Sequence, residues 1–408
     1  MHILYIHQYF ATPKGSSGTR SYEFARRWVT KGHKVTMLTT TAQLTYGDLK
    51  NSSGRLVKKV AIEGFDVLAL RIPYRQQMGI AKRILSFLAF SVISSVVALF
   101  IKNVDVVFAT STPLPVGVPA LVAKWLKRIP FVFEVREQWP EVPIEYGIIQ
   151  NSFFIKIVLW LEKTIYKKSS AIVTISPGQA DGIKKVLEGL KEEKPLIVIP
   201  NACDIDMFSP DVDGSTIRCE RGWGDKLVLL HAGAMGKVNS LGFIVDAAER
   251  LKEHSDIMFV LIGEGGQKSA LEGRVKELGL TNVEILPAVP KEKVTDFFAA
   301  ADVALVIIGK FPISEHNSAN KFFDGLSAGK PVLLNYSGWQ RKILEENESG
   351  FGCDLCNLDE FVEKILYLNS HRQQVEQMGQ NAWRVAVEKF DRDKLAQKAL
   401  GVIESVKV

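Results

Sequence analysis

Asp302-Val-Ala-Leu-Val306, a loop, and then Ser318-Ala-Asn-Lys-Phe-Phe-Asp-Gly-Leu-Ser-Ala-Gly-Lys-Pro-Val-Leu-Leu334 decide how this chain is read. An apolar run, a short amphipathic stretch and a second apolar run give strand, helix, strand, the unit from which parallel sheets are built. Ser318 is placed to cap the helix, Gly329 to stop it and Pro331 to open the next strand. Asn320, Lys321 and Asp324 then fall in the first turns, where free backbone N–H groups attract anions. Lys321 and Asp324 are three residues apart and share a face. An ammonium suits a diphosphate and a carboxylate suits two sugar hydroxyls, so one helix end has the chemistry to hold both parts of a nucleotide sugar. The other reading of the pair is a surface ion pair on an ordinary helix.

The same alternation runs outward in both directions. Apolar strands at residues 2–7, 34–40, 65–70, 104–108, 131–135, 171–175 and 196–199 are separated by helices, and an Asp- and Gly-rich stretch at 209–225 breaks the series. Strands resume at 227–231, 257–262, 283–286, 303–306 and 332–334. Near-continuous apolar strands between helices belong to parallel sheets covered on both faces. The expected fold class is α/β, with two Rossmann-like, doubly wound parallel-sheet domains facing each other across a cleft. The first takes residues 1–200 and the second 201–390, with a helix at 391–408 packing back on the first. Ligands of such folds bind beyond the C-terminal ends of the strands.

With 408 residues, 24% of them charged, the chain has the composition of a soluble globular protein of two domains. Its opening apolar run reads as a first strand and not as a cleavable leader, which leads to the expectation of a cytoplasmic protein. Of four cysteines only Cys353 and Cys356 have CxxC spacing, and no second pair completes a zinc site, so all four read as reduced structural thiols and no metal is expected. Charge is uneven. Residues 1–200 carry 27 Lys and Arg against 14 Asp and Glu, net +13, while the remainder is net −7. A basic half meets something anionic. No zinc-finger or RNA-recognition pattern is present, so nucleic acid is not an expected partner and an anionic membrane surface is.

Residues 84–101 form an uncharged run of eighteen, Ile-Leu-Ser-Phe-Leu-Ala-Phe-Ser-Val-Ile-Ser-Ser-Val-Val-Ala-Leu-Phe-Ile, just long enough to cross a bilayer. Against a span stand Ser86, Ser91, Ser94 and Ser95 and the position of the run between two strands that need it as their crossover helix. Two readings remain. One is a plain buried helix. In the other, the basic approach through Arg71, Arg75, Lys82 and Arg83 lets the entrance, residues 75–90, dip into the headgroups of an anionic leaflet. That second reading makes the protein peripheral on the inner face of the cytoplasmic membrane.

Further stretches follow in order: Lys14-Gly-Ser-Ser-Gly-Thr-Arg20, Lys31-Gly-His-Lys-Val-Thr36, Phe133-Glu-Val-Arg-Glu-Gln-Trp-Pro-Glu141, Val198-Ile-Pro-Asn-Ala-Cys-Asp204, His231-Ala-Gly-Ala-Met-Gly-Lys237 and Leu261-Ile-Gly-Glu-Gly265. With the Asn-Lys-Phe-Phe-Asp helix they resemble, over nearly the whole length, the retaining glycosyltransferases of the group 1 family, also called family four, which have the GT-B architecture. The resemblance implies a hexosyltransferase that moves a sugar from a nucleoside diphosphate, a UDP-sugar in the first instance, to an acceptor hydroxyl with retention. The acceptor expected is lipid-linked or a glycan, in bacterial surface-polysaccharide synthesis. It implies a donor site in the second domain formed by Gly233, Gly236, Lys237, Gly263, Glu264, Gly265, Val289, Asn320, Lys321 and Asp324. Acceptor binding falls to Gly15, Gly18 and Arg20. Catalysis is assigned to Glu134, Arg136, Glu137 and Lys237, with no cofactor and no metal. The glycines also have a simpler explanation, since tight strand-to-helix turns need them anyway.

Departures from the family pattern are visible. His316, beside Glu315, stands eight residues before Asp324, where an acid is usual, and Asp324 itself is shortened from Glu. The run Ala234-Met235-Gly236 replaces the arginine that commonly precedes the phosphate lysine. Three rivals stay open: a nucleotide-sugar 2-epimerase of the same fold, a binding protein without activity, and a dinucleotide oxidoreductase. The last lacks a full GxGxxG in Gly15-Ser-Ser-Gly18.

Overall fold

The computed structural model describes residues 1–15, 18–74, 78–145, 147, 149–311 and 315–407. The chain folds as two compact units, Met1–Pro200 together with Asp393–Val408, and Asn201–Arg392. In the first unit the order is β1 (His2–Ile6), α1 (Arg20–Thr30), β2 (Lys34–Thr40), α2 (Tyr46–Leu49), β3 (Val57–Ile62), β4 (Phe65–Leu70), α3 (Ile80–Phe100) and β5 (Val106–Thr110). Then come α4 (Gly117–Lys127), β6 (Phe131–Val135), α5 (Glu141–Glu145), α6 (Ser152–Lys168), β7 (Ala171–Thr174), α7 (Pro177–Gly189) and β8 (Leu196–Val198). The strands form one sheet in the order β3-β4-β2-β1-β5-β6-β7-β8, parallel except for β3 against β4. The crossovers from β4 through β8 all advance in one direction, so right-handed connections lay α3, α4, α6 and α7 on one face. The step from β1 to β2 goes the other way and puts α1 on the opposite face.

The second unit runs α8 (Ser215–Arg221), β9 (Leu227–Ala232), α9 (Gly242–Arg250), β10 (Ile257–Ile262), α10 (Lys268–Glu277), β11 (Val283–Leu286), α11 (Lys291–Ala300) and β12 (Val303–Val306). It continues with α12 (Asn320–Ser327), β13 (Val332–Leu334), α13 (Trp339–Glu346), β14 (Gly350–Gly352), α14 (Leu358–Ser370) and α15 (Arg372–Lys389). The sheet order β11-β10-β9-β12-β13-β14, all parallel, is the doubly wound order of dinucleotide folds. Every residue of β10, β12 and β13 is buried, as helices on both faces require.

The last helix, α16 (Arg392–Ser405), docks on α1 of the first unit. Trp28 Nε1 donates to the Ala396 carbonyl at 3.0 Å, and Arg27 pairs with Asp393. The Trp28 ring stacks on Tyr5 with centroids 5.4 Å apart and meets Phe108 edge-on, tying α16 through α1 to the sheet.

Three local expectations change. Ser318 does not cap α12: the helix opens one residue later with Ala319 as N-cap, and Ser318 Oγ accepts from the Asn201 N–H instead. Residues 57–62, where Lys58 and Lys59 interrupt the apolar pattern, form β3; the signal for it is the turn Glu63-Gly64, both at positive φ, a two-residue hairpin. The apolar crossover helix is turned inside out relative to a plain buried helix. Ser86, Ser91, Ser94 and Ser95 of α3 are buried, whereas Leu85, Leu88, Val92, Val96 and Phe100 are exposed. Ser91 Oγ donates to the Phe87 and Pro115 carbonyls at 2.9 and 3.0 Å, and the hydroxyls of Ser94 and Ser95 also donate to backbone carbonyls of the preceding turn, while that of Ser86 has no partner among the described residues. Arg75, part of the basic approach read from sequence, lies outside the described residues.

Trp28 is the test of the α1–α16 packing. Trp28→Ala removes a fully buried ring and is expected to lower the unfolding free energy by about 3–5 kcal/mol, read by urea unfolding. A midpoint equal to that of the unchanged protein would contradict this packing.

Candidate active site

Strand order in the second unit reverses between β9 and β12, and a crevice opens beyond their C-terminal ends. Two segments leave from there: the turn from Gly233 to Asn239 after β9, and the chain after β12 that leads into α12. Lys321, second residue of α12, is half-buried and its side chain lies over the first turn. Its Nζ is 3.4 Å from Asn239 Oδ1, its one hydrogen-bond contact among the described residues. A Cβ placed on Gly233 would come within 3.0 Å of Lys321 Cε and 3.4 Å of Nζ, so the ammonium sits on bare backbone. His231, at the end of β9, is fully buried beneath, and neither ring nitrogen has a partner among the described residues. Burial and the neighbouring Lys321 hold His231 well below its usual range and therefore neutral. Burial also lowers Lys321, to about 8. A cation pushed toward neutrality by desolvation, with no carboxylate on it, is arranged to gain from an arriving anion.

The glycines of this edge have their own reason. A Cβ on Gly263 would lie 1.9 Å from the Gly233 carbonyl oxygen, and one on Gly265 would lie 2.4–2.9 Å from Met235 backbone atoms. The turns after β9 and β10 press backbone on backbone and continue the ladder past the strands, with Gly233 N–H to Ile262 O and Met235 N–H to Glu264 O both at 2.9 Å. Gly263 and Gly265 are thus required by packing alone, whereas at Gly233 a Cβ would crowd only the end of the Lys321 side chain. Around Gly236 there is open space.

Asp324 and Lys321 do not pair with each other. Asp324 Oδ1 faces Lys291 Nζ at 3.8 Å, from the first turn of α11, while Lys321 turns to the Gly233 side. Burial raises the Asp324 carboxyl, against the pull of Lys291 and Arg392. The surface ion pair that sequence spacing allowed is therefore not formed, and the two charges have different neighbours. Lys291 and His231 were not singled out from sequence: only the fold brings Lys291, 33 positions away, to Asp324. Lys237 and Asn320 are exposed, Lys237 opening a single 3-10 turn. Val289 packs on the core as the loop after β11 turns, and Glu264 is held by Lys268 at 2.7 Å, which keeps its carboxyl below the ordinary range.

In the first unit two assigned residues change role. Glu134 was expected to leave the strand toward the loops; it lies inside β6, fully buried, with Oε1 accepting from Arg20 Nε at 2.9 Å and Oε2 from Thr110 Oγ1 at 2.9 Å. Arg20, expected to meet an acceptor, also donates from Nη1 and Nη2 to the Pro200 and Ile199 carbonyls at 2.5 and 2.8 Å. Both groups are buried, partnered inside the unit, and hold the edge together. Gly15 closes a turn onto the Thr12 carbonyl, and Gly18 is exposed next to Ser16 and Ser17, which lie outside the described residues. Arg136 and Glu137 do emerge beyond β6, with the Arg136 N–H on Ser111 Oγ at 3.0 Å. His7 is an addition that sequence reading passed over: just beyond β1, buried, its Nδ1 is 2.7 Å from Ser21 Oγ, and burial keeps it neutral.

Two doubly wound α/β units, one with a cation-bearing crevice at its strand switch point, define a protein of GT-B fold. Solved structures agree: Anabaena HepE in complex with UDP-glucose superposes with a TM-score of 0.72 at 16% identity over 99% of this chain and all of that one. The catalytic domain of Arabidopsis thaliana starch synthase IV, bound to ADP and acarbose, gives 0.75 at 13% identity over 99% of each. Residues 215–385 match the model described as Glycosyl transferases group 1, and residues 15–202 match the Glycosyl transferase 4-like domain. Each half of the chain thus matches a glycosyltransferase model, the second half that of the group 1 glycosyl transferases. Among curated proteins, the spore coat protein SA of Bacillus subtilis is 26% identical over 198 residues, 46% of this chain and 51% of that protein. WcaI of Escherichia coli, whose name places it in colanic acid biosynthesis, is 28% identical over 127 residues, 30% of this chain and 31% of its own length. The chain thus spans about 31% and 51% of the length of these two curated relatives.

The corrected role of Arg20 is testable. Arg20→Ala leaves the Glu134 carboxylate buried without its cation and is expected to cost about 3–5 kcal/mol of stability, measured by chemical unfolding. A variant as stable as the original, impaired only toward an acceptor, would restore the binding role and sink the structural one.

Proposed function

We propose that this protein transfers a sugar from a nucleoside-diphosphate sugar, a UDP-sugar in the first instance, to an acceptor hydroxyl with retention. The acceptor we assign is a lipid-linked or glycan acceptor of bacterial surface-polysaccharide synthesis, handled on the cytoplasmic side. The observation that carries this reading is the Lys321 ammonium, half-buried over Gly233 with no carboxylate on it. In the reaction the bond between the anomeric carbon and the diphosphate oxygen breaks while the acceptor oxygen bonds to that carbon and gives up its proton. Negative charge grows on the departing diphosphate. Lys321, the exposed Lys237 and the amides opening α12 are there to meet it, each such donor being worth a few kcal/mol, about a hundredfold in rate. The proposal therefore assigns no metal to the step. Asp324 is left to bind the ribose hydroxyls, with Lys291 setting its charge, and Arg136 and Glu137 are the first-unit groups assigned to the acceptor. HepE is reported with UDP-glucose, which supports the donor class without fixing the sugar.

The decisive measurement is release of nucleoside diphosphate from a panel of UDP-, GDP- and dTDP-sugars. Release that requires a glycan or lipid-linked acceptor is expected. Conversion of the donor at C2 without an acceptor would point to the epimerase, and tight binding with no turnover to a binding protein.

Lys321 adds a pH signature. The protonated ammonium is the form that binds a diphosphate, and in the free protein it titrates at about 8. Affinity for UDP is expected to be level up to about pH 7 and to fall by as much as tenfold per unit above 8, while uridine shows no such fall. Lys321→Met should weaken UDP binding and flatten the profile, as followed by calorimetric titration between pH 7 and 9.5. An unchanged slope in that variant would remove Lys321 from the diphosphate.

A further inference from the structure

The face of the first unit made by α3, α4 and α6 does not look like the outside of a soluble protein. Along α3, Leu85, Leu88, Val92, Val96 and Phe100 recur at helical spacing and point outward, Phe100 with 79% of its surface free. Next to it α4 exposes Trp125 and Leu126, the tryptophan at 55%. On the far side of α4 lies α6, which exposes Phe153, Ile157 and Trp160, the last at 63%. The three helices pack in that order. Lys127 of α4 caps α3 by donating to the Leu99 and Ile101 carbonyls at 3.2 and 2.6 Å, and Gly117 lets α6 close in, since a Cβ there would strike Ile165 at 2.4 Å. Such a continuous apolar surface marks an interaction site.

The charges around it say what covers it. Within α3, α4 and α6 stand eight basic residues, Lys82 and Arg83, Lys124 and Lys127, and Lys156, Lys163, Lys167 and Lys168, against the single acid Glu162. Glu162 is buried, and burial together with Glu141 raises its carboxyl to about 8, so it does not offset them at neutral pH. A second copy of the same face would bring cations against cations. A bilayer spanned by α3 is excluded by its buried serine row and by its place as the crossover between β4 and β5, which need it against the sheet. Apolar side chains with two tryptophans inside a predominantly basic fringe, in which Glu192 pairs with Lys167 and α5 adds Glu141 and Glu145, suit the interface of an anionic lipid leaflet, where aromatic rings sit at headgroup depth and cations lie over phosphates.

We propose that α3, α4 and α6 form a platform that seats the first unit flat on an anionic membrane, with Leu85, Val92, Trp125 and Trp160 inserted and Lys82, Arg83, Lys156 and Lys163 on the headgroups. The contact extends along all of α3 and two neighbouring helices, beyond the helix entrance that the sequence suggested. It stands without the donor-site reading, because binding to lipid needs no sugar transfer. Each cation near such a surface multiplies binding about fivefold.

The test uses the full-length protein and vesicles of phosphatidylcholine with or without phosphatidylglycerol, read by flotation. Binding to the anionic vesicles is expected, weakened at least about tenfold by omitting phosphatidylglycerol or by high salt. The variant Lys82→Glu, Arg83→Glu, Lys156→Glu, Lys163→Glu should lose about a hundredfold or more. Brominated lipid should quench tryptophan fluorescence in the original protein and much less in Trp125→Ser, Trp160→Ser, with thermal unfolding confirming that both variants fold. No binding to anionic vesicles would overturn the proposal. So would binding indifferent to lipid charge and to the charge-reversed variant, retention through alkaline extraction, or a dimer in solution that the tryptophan changes dissolve.

Discussion

Backbone pressed on backbone is the constraint on which the second unit's crevice depends. The turns after β9 and β10 approach so closely that Gly263 and Gly265 have no room for any side chain. This contact fixes the path of the chain from Gly233 to Asn239, and that path leaves a bare floor over which Lys321 extends. Larger residues there would separate the two turns before they touched a ligand. The glycines therefore answer first to the sheet edge, and the chemistry inherits the space they leave. Lys321 then carries the electrostatic consequence: a long side chain brought over a floor without carboxylates has lost water and gained no counterion, so its proton is held less firmly than in solution.

In the first unit the corresponding edge is built on the opposite principle. Arg20 and Glu134 are 114 positions apart, both buried and both held by partners inside the unit. Their guanidinium and carboxylate join the start of α1, the middle of β6 and the segment Ile199–Pro200. Charged residues at the end of parallel strands thus divide into those that bind the protein to itself and those, such as Arg136 and Glu137, that stand outside it. Only counted hydrogen bonds separate the two kinds.

That distinction explains what could be read from the chain alone. Parallel strands such as Ile257–Ile262 and Val303–Val306 are uninterrupted apolar runs, and burial on both faces forces that composition, so these central strands were legible, whereas the three-residue edge strand Gly350–Gly352 was too short to leave a pattern. The antiparallel edge strand Val57–Ile62 is exposed on one side and carries two lysines, which removes the signal. The placing of Lys321 and Asp324 in the first turns of one helix follows from a local pattern and was legible. Their partners, Asn239 and Lys291, come from other crossovers, and no spacing rule links them. In α3 the composition announced an apolar helix but could not say which face would be buried, because serines packed against backbone carbonyls and leucines facing outward have the same one-dimensional pattern as the reverse.

Helix α16 belongs to the first unit although 192 residues of the second, Asn201–Arg392, separate it from β8. The second unit begins and ends at one point: the Cys203 N–H donates to the Phe390 carbonyl at 2.8 Å, and Arg392 pairs with Asp204 at 2.8 Å. Topologically the second unit is an insertion into the first. Bringing α16 to α1 through a disordered chain of that length would cost about 4–5 kcal/mol in loop entropy. Once the second unit has folded, its clasped ends shorten the effective loop to a few residues and remove about 3 kcal/mol of that cost. The order of events during folding is thereby biased: the inserted unit closes first, and the outer one is completed around its two ends.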